Sequence, residues 1–299
     1  MKDNEVAVPL ANQIEFSHTR SLGHRMNIEH ISVSRLGCWD QCQEQYKFKY
    51  HLKTPSPFPE PIYFAYGKTL HKIAEEYVER GDPDQWHTII AEVMSGQIEL
   101  EPGKFAPELN AEYKKKLGSH LINLRAFINK IGLEGVKSHV EYKFKYDLNP
   151  PHEFLATGFI DRIIEKNGKF FIIDYKTTKK GPWRKNATTV LKDLQLRMYC
   201  KVVQRDFGVK AEDIRAYLFY MDSGKGDLVG AKYSQAAIDE AETEMREAYR
   251  QIVTFPAEAA RGNVGEHCRR CDFRDLCKFR NSPSIANGGG ASAGEMPLW

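Results

Sequence analysis

The sequence predicts an α/β protein in which helices lead into a mixed β-sheet and helical structure returns after it. Apolar residues recur at helical spacing to about residue 131, and short segments rich in β-branched and aromatic residues follow. Helical spacing then resumes at about residue 190. With 299 residues, 41% of them hydrophobic, the chain can bury a large core without disulfides.

The N-terminal part is predicted to be helical. A first helix begins near Ser34, although Tyr46–Tyr50 would also fit an alternating strand. The proline-rich stretch 55–61 interrupts the chain, and a second helix is predicted from Ile62 to a stop at Gly81. Further helices are predicted at Gln85–Ser95 and Glu108–Ile131.

The second half is predicted to form the sheet. The predicted strands are His139–Tyr146, Glu153–Ile164, Lys169–Thr177 and Ile214–Met221. Helices are predicted at Val190–Phe207 and Ala236–Ile252. Residues 282–299 have the composition of a flexible tail that cannot build a core.

Charge and hydropathy exclude several classes of protein. The 43 basic and 40 acidic residues leave a net charge of +3, so any nucleic-acid contact must come from a local patch. Met1–Arg20 lacks the apolar core of a signal peptide, and no window approaches the roughly 18 apolar residues of a membrane span. We expect a cytoplasmic protein, in the host cytoplasm if the source is viral, with no membrane partner.

One predicted hairpin, residues 158–176, carries most of the functional information. Asn167-Gly168 between two apolar strands is a strong signal for a type I′ turn, because both central residues need positive φ. This turn places Lys166 opposite Lys169, and the same register places Asp161 opposite Asp174. Their Cβ atoms would then lie about 5 Å apart on one face of the sheet.

Two opposed carboxylates among apolar residues require a positive charge between them. A divalent cation is the natural candidate, because Mg²⁺ or Mn²⁺ prefers carboxylate oxygens and keeps positions open for water and phosphate. Lys176 lies two residues beyond Asp174, on the same face, where its ammonium could orient an attacking water. The pattern favours phosphodiester hydrolysis over the alternative, an ordinary surface hairpin.

A second cluster of chemistry-bearing residues lies near the C-terminus. Cys268, Cys271 and Cys277 fall within ten residues, and in a reducing compartment this spacing indicates metal binding. A four-thiolate site needs one more cysteine, and Cys42 and Cys38 are the candidates. Spacing alone does not separate zinc from a 4Fe-4S cluster.

The segment Gly158-x-x-Asp161 followed by Asp174-Tyr175-Lys176 resembles the catalytic motif of the PD-(D/E)XK nucleases, particularly the RecB-like branch. The usual proline before the first aspartate is missing. The resemblance implies a restriction-endonuclease-like sheet flanked by helices. It also implies that His71, in a Gly-x-x-x-His helix, binds Mg²⁺ or Mn²⁺ together with Asp161, Asp174 and the carbonyl of Tyr175.

Other motifs extend the resemblance. Gln195 and Tyr199 are similar to the Gln-x-x-x-Tyr pair that contacts DNA in this branch, although both would also fit the edge of a core. The basic residues after the hairpin could bind phosphate, or could form a solvated loop; they are Lys179, Lys180, Arg184 and Lys185. Glu141 is a secondary metal-ligand candidate.

The cysteine pattern resembles the iron–sulfur members of the same branch, in which one distant N-terminal cysteine completes a C-terminal set. This implies a 4Fe-4S cluster held by Cys42, Cys268, Cys271 and Cys277, with zinc as the alternative. Such a cluster would close a very long loop and hold the N-terminal helices over the sheet. Cys200 is expected to be buried core.

Taken together, the motifs resemble the stand-alone iron–sulfur exonucleases related to the fourth CRISPR-associated protein and AddB-type nuclease domains. The resemblance implies cleavage of DNA ends, single-stranded or frayed, with 5′-to-3′ polarity, in recombination, repair or CRISPR-type DNA processing. The alternative is a non-catalytic DNA-binding scaffold that retains the nuclease fold and the iron–sulfur cluster.

The expected domain organisation is simple. Residues 1–27 are an extension, and residues 28–281 form one nuclease domain with helical (28–135), sheet (136–232) and helix plus iron–sulfur (233–281) parts. The tail 282–299 ends in an apolar tip, Met296-Pro297-Leu298-Trp299, that could dock onto a protein partner or serve no role.

Overall fold

The computed structural model describes residues 25–100, 111–133, 136–149, 154–178, 181, 184–222 and 226–280. The first elements are α1 (Val33–Gln41), α2 (Gln43–Tyr46) and a π-helical turn (Lys47–His51). The side chain of Ser32 accepts the Arg35 amide at 3.2 Å and so caps α1. Residues 46–50 lie in α2 and the π-helical turn, so the alternative strand does not form.

The next helices form one apolar layer. Helix α3 (Ile62–Arg80) ends at Gly81, whose φ of 63° closes the helix as predicted. It packs with α4 (Trp86–Met94) and α5 (Ala111–Ile131). The start predicted for α5 at Glu108 lies outside the described residues. Among the described residues no helix combines the length and apolarity that a bilayer crossing requires.

The sheet has five strands in the order β1 to β5. They are β1 (Lys137–Asp147), β2 (Leu155–Lys166), β3 (Lys169–Lys176), β4 (Ile214–Tyr220) and β5 (Asp227–Ala231). Strands β3 and β4 are parallel and the other neighbours are antiparallel, so the predicted mixed sheet is confirmed. Strand β5 was not predicted.

Helices cover both faces of the sheet. Alternate residues of β3 and β4, such as Ile172 and Leu218, face α6 (Leu194–Phe207) and α7 (Gln235–Thr254). The residues between them, such as Ile173 and Tyr175, face the layer of α3, α4 and α5. The predicted α/β class is therefore confirmed, with the sheet buried between two helical layers.

The two ends of the described chain are joined directly. The amide of Met26 donates to the carbonyl of Phe255 at 3.0 Å. The side-chain amide of Asn263 donates to the carbonyl of Gln41 at 2.9 Å. The Phe48 ring stacks on Phe273 with centroids 5.4 Å apart. The cysteine-rich segment thus lies against α1, α2 and the π-helical turn.

Candidate active site and cysteine cluster

The hairpin of β2 and β3 has the predicted turn and register. Asn167 and Gly168 have φ of 52° and 70°, and the ladder runs from Lys166↔Lys169 to Arg162↔Ile173. Beyond that rung the strands separate. Asp161 accepts a hydrogen bond from the Tyr175 amide at 2.6 Å through its Oδ2 atom. At the level where the predicted register places Asp161 opposite Asp174, the Asp161 carboxylate thus takes the place of the backbone hydrogen bonds between the two strands.

Side chains along β1 and β2 alternate between the two faces of the sheet, and this alternation shifts by one residue at the level of Glu141 and Asp161. Ile160 and Ile163, three residues apart, both lie in the core under α6 and α7. Cross-strand pairs on either side, Val140↔Arg162 and Tyr142↔Ile160, keep one register. Glu141 between them has a φ of 44°, which is unusual for a residue with a side chain. The two acids, Glu141 and Asp161, therefore share one matched irregularity.

This irregularity brings Glu141 and Asp161 to His71 of α3. One ligand atom from each of the three residues lies within 4.8 Å of the others. His71 Nδ1 is 3.4 Å from Asp161 Oδ1, and its Nε2 is 2.9 Å from the carbonyl oxygen of Tyr175. The structure thus brings together three predicted ligands, His71, Asp161 and the Tyr175 carbonyl, and adds Glu141 to them.

The electrostatics of the group show how much it needs positive charge. Burial opposes a charged imidazole, yet Asp161 and its neighbours outweigh burial and raise the pKa of His71 to about 9. Burial and the adjacent Asp161 raise the pKa of Glu141 to about 7. Burial would likewise raise the pKa of Asp161, but His71 and the Tyr175 amide hold it below its ordinary value. The acids thus require a cationic neighbour.

The donor set fits a divalent cation. His71 has Nε2 beside the Tyr175 carbonyl oxygen and Nδ1 beside Asp161 Oδ1, so a bound ion would take one of these nitrogens in place of its present contact. Two carboxylates, one imidazole and one carbonyl form the mixed oxygen and nitrogen set that Mg²⁺ and Mn²⁺ accept. Binding would displace the proton that His71 otherwise holds beside the acids.

Asp174 makes different contacts. Its Oδ2 atom lies 2.8 Å from Lys176 Nζ, and its carboxylate is outside the group within 4.8 Å that His71, Glu141 and Asp161 form. Burial, opposed by Lys176 and reinforced by Asp161, raises the pKa of Asp174 to about 6. The expectation that Asp174 binds the metal directly stays a prediction.

Helix α6 supports Lys176 from the other side. Lys176 Nζ donates to Gln195 Oε1 at 3.2 Å, and Gln195 Nε2 donates to the Tyr199 hydroxyl at 2.8 Å. Burial opposes the ammonium, but Asp174 and Asp161 outweigh it and raise the pKa of Lys176. Tyr199 is only 5% exposed. Of the predicted Gln195 and Tyr199 pair, Gln195 therefore contacts Lys176 directly and Tyr199 contacts Gln195.

The basic loop after the hairpin is described only in part. Lys179 and Lys180, predicted to bind nucleic acid, lie outside the described residues. Arg184 has a side chain 8% exposed, pairs with Asp222 at 2.9 Å and lies over the Tyr220 ring at 4.2 Å. Arg184 therefore anchors the loop, and phosphate binding by Arg184 and Lys185 stays a prediction.

The four predicted cluster ligands, Cys42, Cys268, Cys271 and Cys277, line one cavity. The chain brings Cys42, at the junction of α1 and α2, to the C-terminal segment over more than two hundred residues of sequence. The Gly265 amide donates to Cys268 Sγ at 3.5 Å. Cys200 is buried in the core, as expected.

The two N-terminal cysteines differ in electrostatics. Burial opposes a Cys42 thiolate, but hydrogen bonds from His267 and from the backbone amide of Gln45 lower the pKa of Cys42 below its ordinary value. Burial raises the pKa of Cys38 to about 12. The lowered pKa thus favours Cys42 over Cys38 as a ligating thiolate, although burial also raises the pKa of Cys271, to about 11, and that of Cys277.

The sheet, its covering helices and the acidic group with its adjacent lysine define a metal-dependent nuclease fold. The family model of the PD-(D/E)XK nuclease superfamily matches residues 30–278. The chain therefore belongs to the PD-(D/E)XK nuclease superfamily.

Comparison of structures gives two relatives with low sequence identity. A protein from Eubacterium rectale described as "Putative exonuclease" is 15% identical with a TM-score of 0.48, over 87% of this chain and 94% of that one. The crystal structure of SSO0001 is 13% identical with a TM-score of 0.41, over 87% and 90%. No curated protein sequence matches the chain significantly.

Proposed function

We propose that the protein is a Mg²⁺- or Mn²⁺-dependent DNA exonuclease that hydrolyses phosphodiester bonds at single-stranded or frayed ends. The observation that carries the proposal is the group of His71, Glu141 and Asp161 within 4.8 Å, beside the Lys176–Asp174 pair. By resemblance to RecB-like iron–sulfur nucleases, we propose 5′-to-3′ polarity and a role in recombination, repair or CRISPR-type DNA processing. We place this activity in the cytoplasm and in one domain, residues 28–281.

We assign the divalent metal to His71, Asp161, Asp174 and the Tyr175 carbonyl, with Glu141 as a further ligand. The bound ion supplies a Lewis acid that stabilises negative charge on a phosphate oxygen. Asp161 has two roles in this assignment, because its second carboxylate oxygen holds the Tyr175 amide at 2.6 Å. That bond fixes the direction of the neighbouring Tyr175 carbonyl.

Lys176 orients water in this mechanism. Its ammonium, held between Asp174 and Gln195, donates a hydrogen bond to the attacking water and offsets charge that builds on the phosphate. The water oxygen forms a bond to phosphorus and gives up a proton to solvent, the bond from phosphorus to one sugar oxygen breaks, and the leaving oxygen takes up a proton from solvent. Asp174 keeps the amine charged and aimed at the phosphate.

The proposal of action at a strand end rests on the resemblance, since the described surroundings of the site are mixed in charge. A groove along β1 is lined by Glu79 and Glu141 and also by His139 and Lys143. On the neighbouring α3, Lys72 pairs with Glu75 and Glu76.

We further propose a 4Fe-4S cluster on Cys42, Cys268, Cys271 and Cys277. The resemblance to the iron–sulfur members of the branch, and not the number of thiolates, favours this cluster over zinc, since both accept four thiolates.

The experiment is cleavage of end-labelled single- and double-stranded oligonucleotides with Mn²⁺ or Mg²⁺. We expect the wild type to shorten single strands from the 5′ end, and Asp174→Ala or Lys176→Ala to lower the rate by at least about 100-fold. Asp239→Ala is the matched control, because Asp239 pairs with Lys201 at 2.7 Å as Asp174 does with Lys176 at 2.8 Å. A wild type that binds DNA without cutting it would establish the scaffold alternative instead.

A further inference from the structure

The outer part of the β1–β2 pair, beyond the matched irregularity, has one open face. Its inner face packs into the core through Phe144, Tyr146, Ala156 and Ile160. On the other face lie Lys143, Lys145, Thr157 and Phe159, because strand residues alternate. Lys143, Lys145 and Phe159 are all exposed. We call these three residues the outer platform.

Phe159 is the unusual member of the platform. Its side chain is 50% exposed although the strand that carries it is paired along its length with β1. Lys143 is its cross-strand partner, with Nζ 5.7 Å from the ring centroid. Lys145 is paired with Thr157, the next outward position. An aromatic ring is therefore presented to solvent on a rigid strand with two ammonium groups beside it.

The outer platform is continuous with the candidate active site. Phe159 precedes Asp161 by two residues, and Lys143 follows Glu141 by two. Two residues of a strand span about 7 Å. Lys143 also lines the groove along β1 that Glu141 lines, so the platform and the metal group open onto the same groove. The ammonium groups of the platform attract a polyanionic substrate.

We propose that the outer platform binds single-stranded DNA next to the scissile phosphate, with the Phe159 ring stacked on an unpaired base and Lys143 and Lys145 on flanking phosphates. This inference rests on the proposed nuclease function and adds the basis of its strand preference. Aromatic stacking needs a base face that is free, which a single strand offers and an intact duplex does not. The lysines contribute attraction that does not depend on sequence.

The test is equilibrium binding of a labelled oligothymidylate and of a blunt duplex, with Ca²⁺ in place of Mg²⁺ to prevent cleavage. Phe159→Leu keeps an apolar side chain and removes the ring. We expect it to weaken single-strand binding by about 5- to 100-fold, with Phe159→Tyr close to wild type and little change for the duplex. Lys143→Ala should reduce the salt dependence of binding by about one phosphate contact.

Leu228→Ala is the matched control, because Leu228 is a 48% exposed apolar residue on β5 at the opposite edge of the sheet. Phe159→Leu behaving like this control would overturn the platform. Equal weakening for single strand and duplex would overturn stacking as its mode of binding. The proposed function fails separately: a wild type that binds oligothymidylate through Phe159 and yet does not cleave it with Mn²⁺ refutes the nuclease and keeps the platform.

Discussion

Glu141 is the residue in which local strain and chemistry coincide. Its φ of 44° costs free energy that a residue with a side chain avoids when it can, about 1–2 kcal/mol. The regular ladder on both sides of Glu141 holds the residue in that conformation. As a result, the Glu141 carboxylate lies close to His71 and Asp161, where it attracts the protonated imidazole of His71 and repels the carboxylate of Asp161.

We predict that Glu141→Gln stabilises the metal-free protein and weakens metal binding. Removing one of two adjacent carboxylates should raise the melting temperature of the metal-free protein and raise the Mn²⁺ concentration for half-maximal cleavage at least about tenfold. Thermal unfolding and cleavage across a Mn²⁺ titration measure both. Glu165→Gln, on the neighbouring strand β2 and paired with Lys137 of β1, is the control. An unchanged Mn²⁺ requirement would remove Glu141 from the ligand set.

At the same scale, Tyr199 tests the support of Lys176. Tyr199→Phe removes the hydroxyl that accepts from Gln195, so Gln195 should hold Lys176 less well and kcat should fall about 5- to 10-fold with KM little changed. Steady-state cleavage rates measure this. Tyr142→Phe, which removes a hydroxyl bonded to Asp206, is the control. A change in KM alone would mean that Tyr199 binds DNA and does not position Lys176.

The residue-level site could be predicted in part. The Asn167-Gly168 turn determines the register, so the level at which Asp161 and Asp174 lie follows from the sequence. The separation of their carboxylates does not follow, because Asp161 turns to the Tyr175 amide and Asp174 to Lys176. Those choices depend on α3 and α6, which approach from distant parts of the sequence.

At the scale of the element, the hairpin turn carries a measurable conformational requirement. Gly168 has φ of 70°, and a Cβ at this position would meet open space, so only the backbone preference opposes a substitution. We predict that Gly168→Ala lowers the free energy of unfolding by about 1 kcal/mol. Chemical denaturation provides the measurement.

Gly118→Ala is the opposite case. Gly118 lies within α5 and also has open space around its Cβ position, so alanine should stabilise the protein by about 0.5–1 kcal/mol. Both variants should cleave DNA as the wild type does, because neither residue contacts the site. Destabilisation of similar size by both changes would contradict the conformational explanation.

Helices and strands with a long stretch of regularly spaced apolar residues could be predicted from the sequence, and short ones less well. Strand β5 has five residues, Asp-Leu-Val-Gly-Ala, and is held by pairing with β4, so its sequence carries little local signal. Residues 46–50 fit both helix and strand, and their packing into the core under α7 selected the helix. Tertiary contacts decided both cases.

On the scale of the whole molecule, two kinds of contact join the N-terminal helices to the C-terminal segment. Direct contacts such as Asn263 to Gln41 and Phe48 to Phe273 form without any cofactor. The four cysteines would add a covalent closure of a loop of more than two hundred residues. The sequence indicated that these ends meet, because four thiolates need one site, but not which side chains pack between them.

We predict that Cys42→Ala abolishes the absorbance near 400 nm that the proposed 4Fe-4S cluster would give the anaerobically purified protein, whereas Cys38→Ala retains it. Loss of the closure should lower the free energy of unfolding by up to roughly 5 kcal/mol. Absorbance near 400 nm, iron content and chemical denaturation test this. Iron retained in Cys42→Ala and lost in Cys38→Ala would reverse the assignment, and zinc in place of iron would exclude the cluster.

The matched irregularity at Glu141 and Asp161 also sets limits on how the hairpin can change length. Deleting one of the two residues would shift the rest of that strand by one position and turn its apolar side chains toward water. Deleting both would restore regular side-chain alternation along the two strands and remove both acids from the group around His71. Regular strands and this group of acids are therefore incompatible at this point of the chain, and a redesign that regularises the strands would remove Glu141 and Asp161 from the vicinity of His71.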